Sequence, residues 1–320
     1  MKKLPLFLFC SIQILFSQID YDPKLIRGAT ACANCHPTAV SHWEGTDHFK
    51  VFSGTDTEPA MHRRPETKEI LGKLGMKGAK RGVCVDCHFT TQHLAGKKRA
   101  RAISGPSCES CHGASGNWIE IHGVYGEDAS GGKATRETEI ASHKVERLQN
   151  ADDNGMIRTN NIYAIAKNCY QCHTVPNEDL VNIGGHKSNS DIDFSTWLNK
   201  DIKHNFLYSD GKSNRNAPRD FDIAERQKKN KIVGLLVDLE YSLRGYAKAT
   251  SEGDYSISMK NRIETAISNL TAFESSGGES KDISEALSYV KNISISLSKM
   301  DELSITADNV RKIAITYSDK

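Results

Sequence analysis

Two kinds of hydrophobic patterning divide the chain. From about residue 220 onward, apolar residues recur at helical spacing, which places each set on one face of a helix. The four sets are Ile232, Leu236, Leu239, Leu243 and Tyr246; Met259, Ile263, Ala266, Leu270 and Phe273; Ile283, Leu287, Val290, Ile293 and Leu297; and Leu303, Val310 and Ile313. Turn-forming residues at 251–254 and 274–280 separate the first three sets. Because short connections favour antiparallel neighbours, residues 216–320 are predicted to form an antiparallel helical bundle.

The preceding part of the chain has a different pattern. Residues 19–215 are poor in large apolar side chains and contain long polar stretches, such as 123–133. A segment of this composition buries little apolar surface by itself. We therefore predict a mainly α but irregular domain over 18–215, whose core requires apolar surface from another source.

The N-terminus has the features of an export signal. Lys2 and Lys3 precede an apolar run that is too short to span a bilayer, and Ser17 is a small residue at a plausible cleavage position. Residues 1–17 are predicted to be a secretory signal peptide, with an uncleaved anchor as the alternative. The mature product is expected to be periplasmic and soluble, without a transmembrane segment. Its 40 basic and 40 acidic residues give no indication of a nucleic-acid partner.

The cysteines carry the strongest chemical signal. Apart from Cys10 in the predicted signal, all cysteines lie in four CxxCH units, at 32–36, 84–88, 108–112 and 169–173. Disulfides and zinc are the general interpretations, but neither requires a histidine directly after every second cysteine. Covalent attachment of haem does. The predicted thioether cysteines are Cys32, Cys35, Cys84, Cys87, Cys108, Cys111, Cys169 and Cys172.

In each unit the histidine would bind the iron as its proximal ligand. These histidines are His36, His88, His112 and His173 in the first to fourth units. Four covalently bound haem c groups would supply the missing apolar surface, and folding would then depend on their insertion. A sixth ligand can come from another histidine. His48 and His122 closely follow the first and third units, so a neighbouring haem is an easier target for each than its own.

These motifs resemble the tetrahaem cytochromes of the cytochrome c-554 family. The matching pieces are CANCH with Trp43, Thr46 and His48; GVCVDCH at 82–88; GPSCESCHG with His122; and NCYQCH followed by a helical stretch and His204. The resemblance covers about residues 30–205. It implies that His48 binds the iron of the third unit and His122 that of the first. For the fourth unit it implies His204, with His186 as the alternative.

The resemblance also implies that the second haem has no protein sixth ligand, although His62, His93 and His186 are weak candidates for that position. His42 and His143 are expected to be ordinary surface or packing histidines. No methionine stands at a family ligand position. The expected function is electron transfer between redox proteins that serve as donor and acceptor. The alternative is an enzyme that reduces a small ligand such as nitric oxide at the open second haem, and a third possibility is a haem-bearing subunit of a larger complex.

Overall fold

The computed structural model describes residues 21–188, 190, 192–200, 222–277, 281–291 and 293–320. The predicted signal peptide and His204 lie outside these residues. The described chain is mainly helical, as predicted. None of its helices combines the length and the apolar character that crossing a membrane requires.

Short helices and one small sheet form the part of the fold that precedes residue 201. The helices are α1 (Ala29–Ala33), α2 (Pro37–Glu44), α3 (Asp47–Ser53), α4 (Pro65–Lys73), α5 (Val85–His88), α6 (Cys108–His112), α7 (Ile119–His122), α8 (Ala141–Asp153), α9 (Ile162–His173), α10 (Glu178–Asn182) and α11 (Phe194–Lys200). The strands β1 (Thr90–Gln92) and β2 (Arg101–Ser104) form an antiparallel hairpin.

The CxxCH units lie at helix ends. Helices α5, α6 and α9 each end at the histidine of their unit, and α1 contains the first cysteine of the first unit. The boundaries of α6 show how the sequence fixes such a short helix. Ser107 and Ser110 form a capping box at its start. Gly113 ends it with a φ of 82°, and a side chain there would meet the Gly155 carbonyl oxygen.

The described C-terminal part consists of the helices α12 (Ile223–Tyr246), α13 (Asp254–Ser275), α14 (Lys281–Val290) and α15 (Met300–Asp319). They coincide with the four predicted stripes, with one difference. The third stripe was predicted to continue to Leu297, but α14 ends at Val290. The next residues mix β-branched Ile293 and Ile295 with serines, and both residue types have low helix propensity.

A single hydrophobic core connects the C-terminal helices to the fourth unit. Helix α12 contacts α13, α15, α9 and α11. Ile162 and Tyr170 of α9 are buried in the same cluster as Leu236 and Leu243 of α12. By contrast, the described residues before α8 contain a much smaller cluster around Leu71, Cys84 and Phe89. The core thus contains side chains from both sides of the boundary that the sequence suggested at residue 215.

Candidate functional site

Pairs of imidazole rings from distant parts of the chain face each other. Each pair contains the histidine of one CxxCH unit. The centroid distances are 6.2 Å for His36 and His122, 6.2 Å for His88 and His186, and 6.1 Å for His48 and His173. The two planes lie at 24°, 51° and 49° to each other, respectively.

This spacing fits one iron ion between the two rings of a pair. A ring nitrogen lies about 1.2 Å from its centroid and a metal–nitrogen bond is about 2 Å long, so opposite ligands of one metal have centroids about 6.4 Å apart. A porphyrin supplies the other four donors, and two histidines complete the coordination. No group of three or more His, Cys, Asp or Glu side chains arranged to hold a metal by itself occurs among the described residues. The residues therefore fit haem iron.

The pair at the first unit is the one that the resemblance implied. His122 ends α7, and its Nδ1 lies 2.8 Å from the Ile119 carbonyl oxygen. The Trp118 ring meets the His122 ring edge-on at 5.1 Å. Arg147 of α8 donates to the His122 carbonyl oxygen and is itself paired with Glu139. Backbone and ring of His122 are thus both fixed opposite His36.

His48 differs from its expected position. The resemblance implied that it serves the third unit, but its ring faces His173 of the fourth. Helix α3, which Thr46 caps, packs closely against the chain before the third unit. A side chain at Gly105 would approach the His48 carbonyl oxygen to 1.8 Å. The backbone of His48 therefore lies beside the third unit while its imidazole reaches the fourth.

His186 was the alternative for the fourth unit, yet its ring faces His88 of the second. Two glycines allow this placement. Gly185 has a φ of 70°, and a side chain at Gly184 would come within 2.6 Å of the Leu180 carbonyl oxygen. The chain can therefore turn sharply after α10. This position differs from the expectation of an open second haem, on which the alternative enzymatic function depended. The Gly-Gly pair was the sequence signal that could have indicated it.

The third unit is held from its proximal side. His112 Nδ1 lies 2.9 Å from the Ile157 carbonyl oxygen, and burial lowers the pKa of His112. His204, which the sequence predicted for the fourth unit, lies outside the described residues.

The other histidines have different surroundings. His42 is exposed, and His143 bonds to the Glu139 carboxylate at 2.8 Å, as expected for surface or packing roles. His62 packs against the Phe52 ring at 6.3 Å, and its buried Nδ1 has no hydrogen-bond partner among the described residues. His93 is half-buried where the hairpin meets the N-terminal segment. Its backbone N–H donates to the Pro23 carbonyl oxygen.

The four units contact one another in a fixed order. The Cys32 thiol of the first unit is hydrogen-bonded to Cys108 of the third, which raises the pKa of Cys32. Asn168, beside the fourth unit, donates to the Cys111 carbonyl oxygen at 3.0 Å. A thiol contact between Cys172 and Cys87 joins the fourth unit to the second. These contacts join the first unit to the third, the third to the fourth, and the fourth to the second.

The chemistry of the donors suits covalent haem. None of the eight cysteines of the units forms a disulfide. Burial lowers the pKa of both His88 and His173 to about 4, with nearby histidines adding to the effect. These imidazoles are therefore neutral at pH 7, which is the form that binds a metal.

A family comparison agrees with this chemistry. Residues 31–113 match the model of the family described as cytochrome c554 and c-prime. This segment is similar to c554-type cytochromes. The resemblance inferred from the motifs is thereby confirmed over residues 31–113, and the family description points to a haem-based electron-transfer role. The match includes the first three CxxCH units of the chain. No curated protein and no solved structure matches the chain.

Proposed function

We propose that the chain is an exported c-type cytochrome with four covalent haems that transfers electrons between redox partner proteins. The observation that supports this most is the set of three opposed imidazole pairs. Each joins a CxxCH histidine to a histidine far away in sequence, at the spacing that one iron requires. Because the two members of each pair are far apart in sequence, interactions between neighbouring residues alone would not produce this spacing three times.

The residues divide into two roles. The eight cysteines attach the porphyrins, and His36, His88, His112 and His173 bind from the proximal side. His122, His186 and His48 bind from the other side in the first, second and fourth units. Reversible one-electron transfer is the chemistry that haem iron supplies when held by two imidazoles, since it can change oxidation state without exchanging a ligand. The chain's part is to fix the positions of these rings.

The contacts between the CxxCH units suggest a path for the transferred electrons. The first and second units are the ends of the series, while the third and fourth lie between them. Cys35 in the first unit is exposed, whereas Cys84 in the second is buried. We therefore place one docking site for a redox partner at the first unit.

A basic surface lies near this unit. The loop between β1 and β2 and the start of β2 carry Lys97, Lys98, Arg99 and Arg101, all exposed. None of the four pairs with a carboxylate among the described residues. The hairpin packs against the segment that leads into α1, because Gln92 Nε2 donates to the Ile26 carbonyl oxygen at 2.7 Å. Uncompensated positive charge at this place favours a redox partner with an acidic face.

Haem content tests the function directly. The mass of the purified protein after acid–acetone extraction should still include four haems, and its ferric spectrum should be dominated by low-spin signals. Two or fewer retained haems, or bound zinc, would contradict the proposal. Stoichiometric binding of carbon monoxide by the ferrous protein would show an open haem and favour the small-ligand enzyme instead.

The docking surface can be tested with a small anionic oxidant, ferricyanide. Lys97→Glu combined with Lys98→Glu should slow oxidation of the reduced protein several-fold at low ionic strength. The difference should disappear in high salt, since the Debye length falls to about 3 Å at 1 M. Lys260→Glu combined with Lys312→Glu, at exposed positions on α13 and α15, is the matched control. Equal slowing in both double variants would remove the argument for a local docking surface.

A further inference from the structure

The C-terminal helices, which lie outside the family match, reach the fourth unit through hydrogen bonds. His173 Nδ1 lies 2.9 Å from the hydroxyl oxygen of Ser190. The Ser190 hydroxyl donates to the His173 carbonyl oxygen at 3.3 Å, and the Ser190 backbone N–H donates to the same oxygen at 3.0 Å. Ser190 therefore contacts both the ring and the backbone of the proximal histidine.

Arg262 of α13 holds Ser190 in place. Its Nη1 donates to the Ser190 carbonyl oxygen at 2.9 Å, and its Nε donates to Asp238 of α12 at 2.8 Å. The guanidinium also lies 5.8 Å from the ring centroid of Tyr170, next to Cys169. Only 8% of the Arg262 side chain and 12% of the Asp238 side chain are exposed. A buried, planar guanidinium that donates two hydrogen bonds is a rigid support for the Ser190 backbone.

The ring of His173 has a second restraint. Trp197 of α11 meets it edge-on, at 4.4 Å between centroids and 89° between planes. The ring is therefore held by Trp197 on one side and by Ser190 at Nδ1. Such outer contacts fix the orientation of a metal-binding histidine and raise its basicity.

The hydrogen-bond partner of this histidine is also distinctive. Nδ1 of His112 faces a backbone carbonyl oxygen, that of Ile157, which substitution cannot remove. The acceptor at His173 is a side chain. If Nε2 bound the iron, Nδ1 would carry the proton and donate a hydrogen bond to the Ser190 oxygen, while the Ser190 hydroxyl donates its own hydrogen bond to the His173 carbonyl oxygen. At the fourth unit, side chains can therefore affect the properties of the proximal histidine, His173.

We propose that Ser190 and Arg262 are positioning residues that set the redox potential of the fourth haem, so that the C-terminal helices tune the electron path. The inference rests on the proposed function, since it requires a haem at the fourth unit. Donation from Nδ1 to Ser190 makes the imidazole a stronger electron donor, which favours the ferric state. Removing the acceptor therefore raises the potential.

The test is a spectroelectrochemical titration of the full-length protein with all its haems. Ser190→Ala should raise one of the four potentials, with about a tenfold change in its ferric-to-ferrous ratio, which for one electron is about 59 mV. Arg262→Lys keeps a cation beside Asp238 but cannot supply both guanidinium contacts, so it should shift the same haem in the same direction. The double variant should shift no further than Ser190→Ala, because the two residues act through one contact.

Two variants serve as controls. Ser190→Thr keeps the hydroxyl and should leave the potential near that of the wild type. Arg244→Lys changes a comparable guanidinium group on the same helices. The Arg244 guanidinium donates hydrogen bonds to Glu240 and Asp308, neither of which belongs to a CxxCH unit. The substitution should leave all four potentials unchanged. The shifted haem should be the one whose low-spin signal is lost in His48→Ala.

Two results would overturn the inference: four unchanged potentials in Ser190→Ala, or an equal shift in Arg244→Lys. Failure of the proposed function is distinguishable, because it would appear as fewer than four haems in the wild-type protein.

Discussion

Glu109 connects the first and third units, and its replacement gives a sharp stability prediction. It lies between the two cysteines of the third unit and is only 1% exposed. Its carboxylate accepts hydrogen bonds from the backbone N–H groups of Arg27 and Gly28, which precede α1. It also accepts from the backbone and the hydroxyl of Ser115, at 2.8 and 2.6 Å. One side chain thus anchors the start of the helix that carries the first unit.

The magnitude follows from the number of donors. Three of them, the Gly28 N–H and both groups of Ser115, are buried. A buried donor without a partner costs about 1–3 kcal/mol, so Glu109→Ala should lower the free energy of unfolding by about 3–6 kcal/mol after partial rearrangement. That is a large share of a typical total stability of about 5–15 kcal/mol.

Glu109→Gln gives a graded test of the same reasoning. It keeps one acceptor oxygen but turns an NH₂ group towards an N–H donor, so a loss of about 2–3 kcal/mol is expected. Guanidinium denaturation of the haem-loaded protein, followed by far-UV circular dichroism, measures it. Glu120→Gln, at an exposed position on α7, is the control and should change the free energy by less than about 0.5 kcal/mol. A Glu109→Gln protein as stable as this control would refute the argument.

Further predictions follow from the same contacts. Replacing one distal histidine by alanine should convert one haem from low-spin to high-spin in the ferric spectrum and open it to carbon monoxide. The affected haem should be the first for His122→Ala, the second for His186→Ala and the fourth for His48→Ala. The hydrogen bond from Arg147 lowers the pKa of Glu139, so its stabilisation is complete above the unfolded pKa of about 4.5 and is lost as the pH falls through the lower folded pKa. Glu139→Gln should therefore flatten the decline of the melting temperature below about pH 5. Leu236→Ala, in the middle of α12 and fully buried, should cost about 2–5 kcal/mol in urea denaturation, whereas Ile305→Ala, at a position 62% exposed, should cost little.

Features that depend on local sequence were predictable. The C-terminal helices follow from periodic apolar positions, because burial of one face determines both the helix and its orientation. The CxxCH units follow from covalent chemistry that acts within five residues. His122 is also a local case, since α7 follows the third unit after a short turn and brings its ring back to the first unit.

The partners of His48 and His186 could not be predicted in the same way. The ring that faces His48 is 125 positions away in sequence, and its choice depends on how α3 packs against Gly105. For His186 the decisive feature is the left-handed conformation at Gly185, which glycine permits but does not require. Both outcomes depend on contacts between distant elements. The resemblance implied His122 for the first unit, where its ring lies opposite His36, whereas the rings of His48 and His186 face other histidines than those it implied.

The C-terminal helices pack against the fourth unit, which lies in the middle of the proposed electron path rather than at its end. Helix α9 ends at the fourth unit, while its buried side chains share a core with α12. In the proposed path the fourth unit lies between the third and the second. A change in the packing of α12 and α13 would move Arg262 and Ser190, and through them His173. We therefore expect the C-terminal helices to affect the rate of transfer along this path.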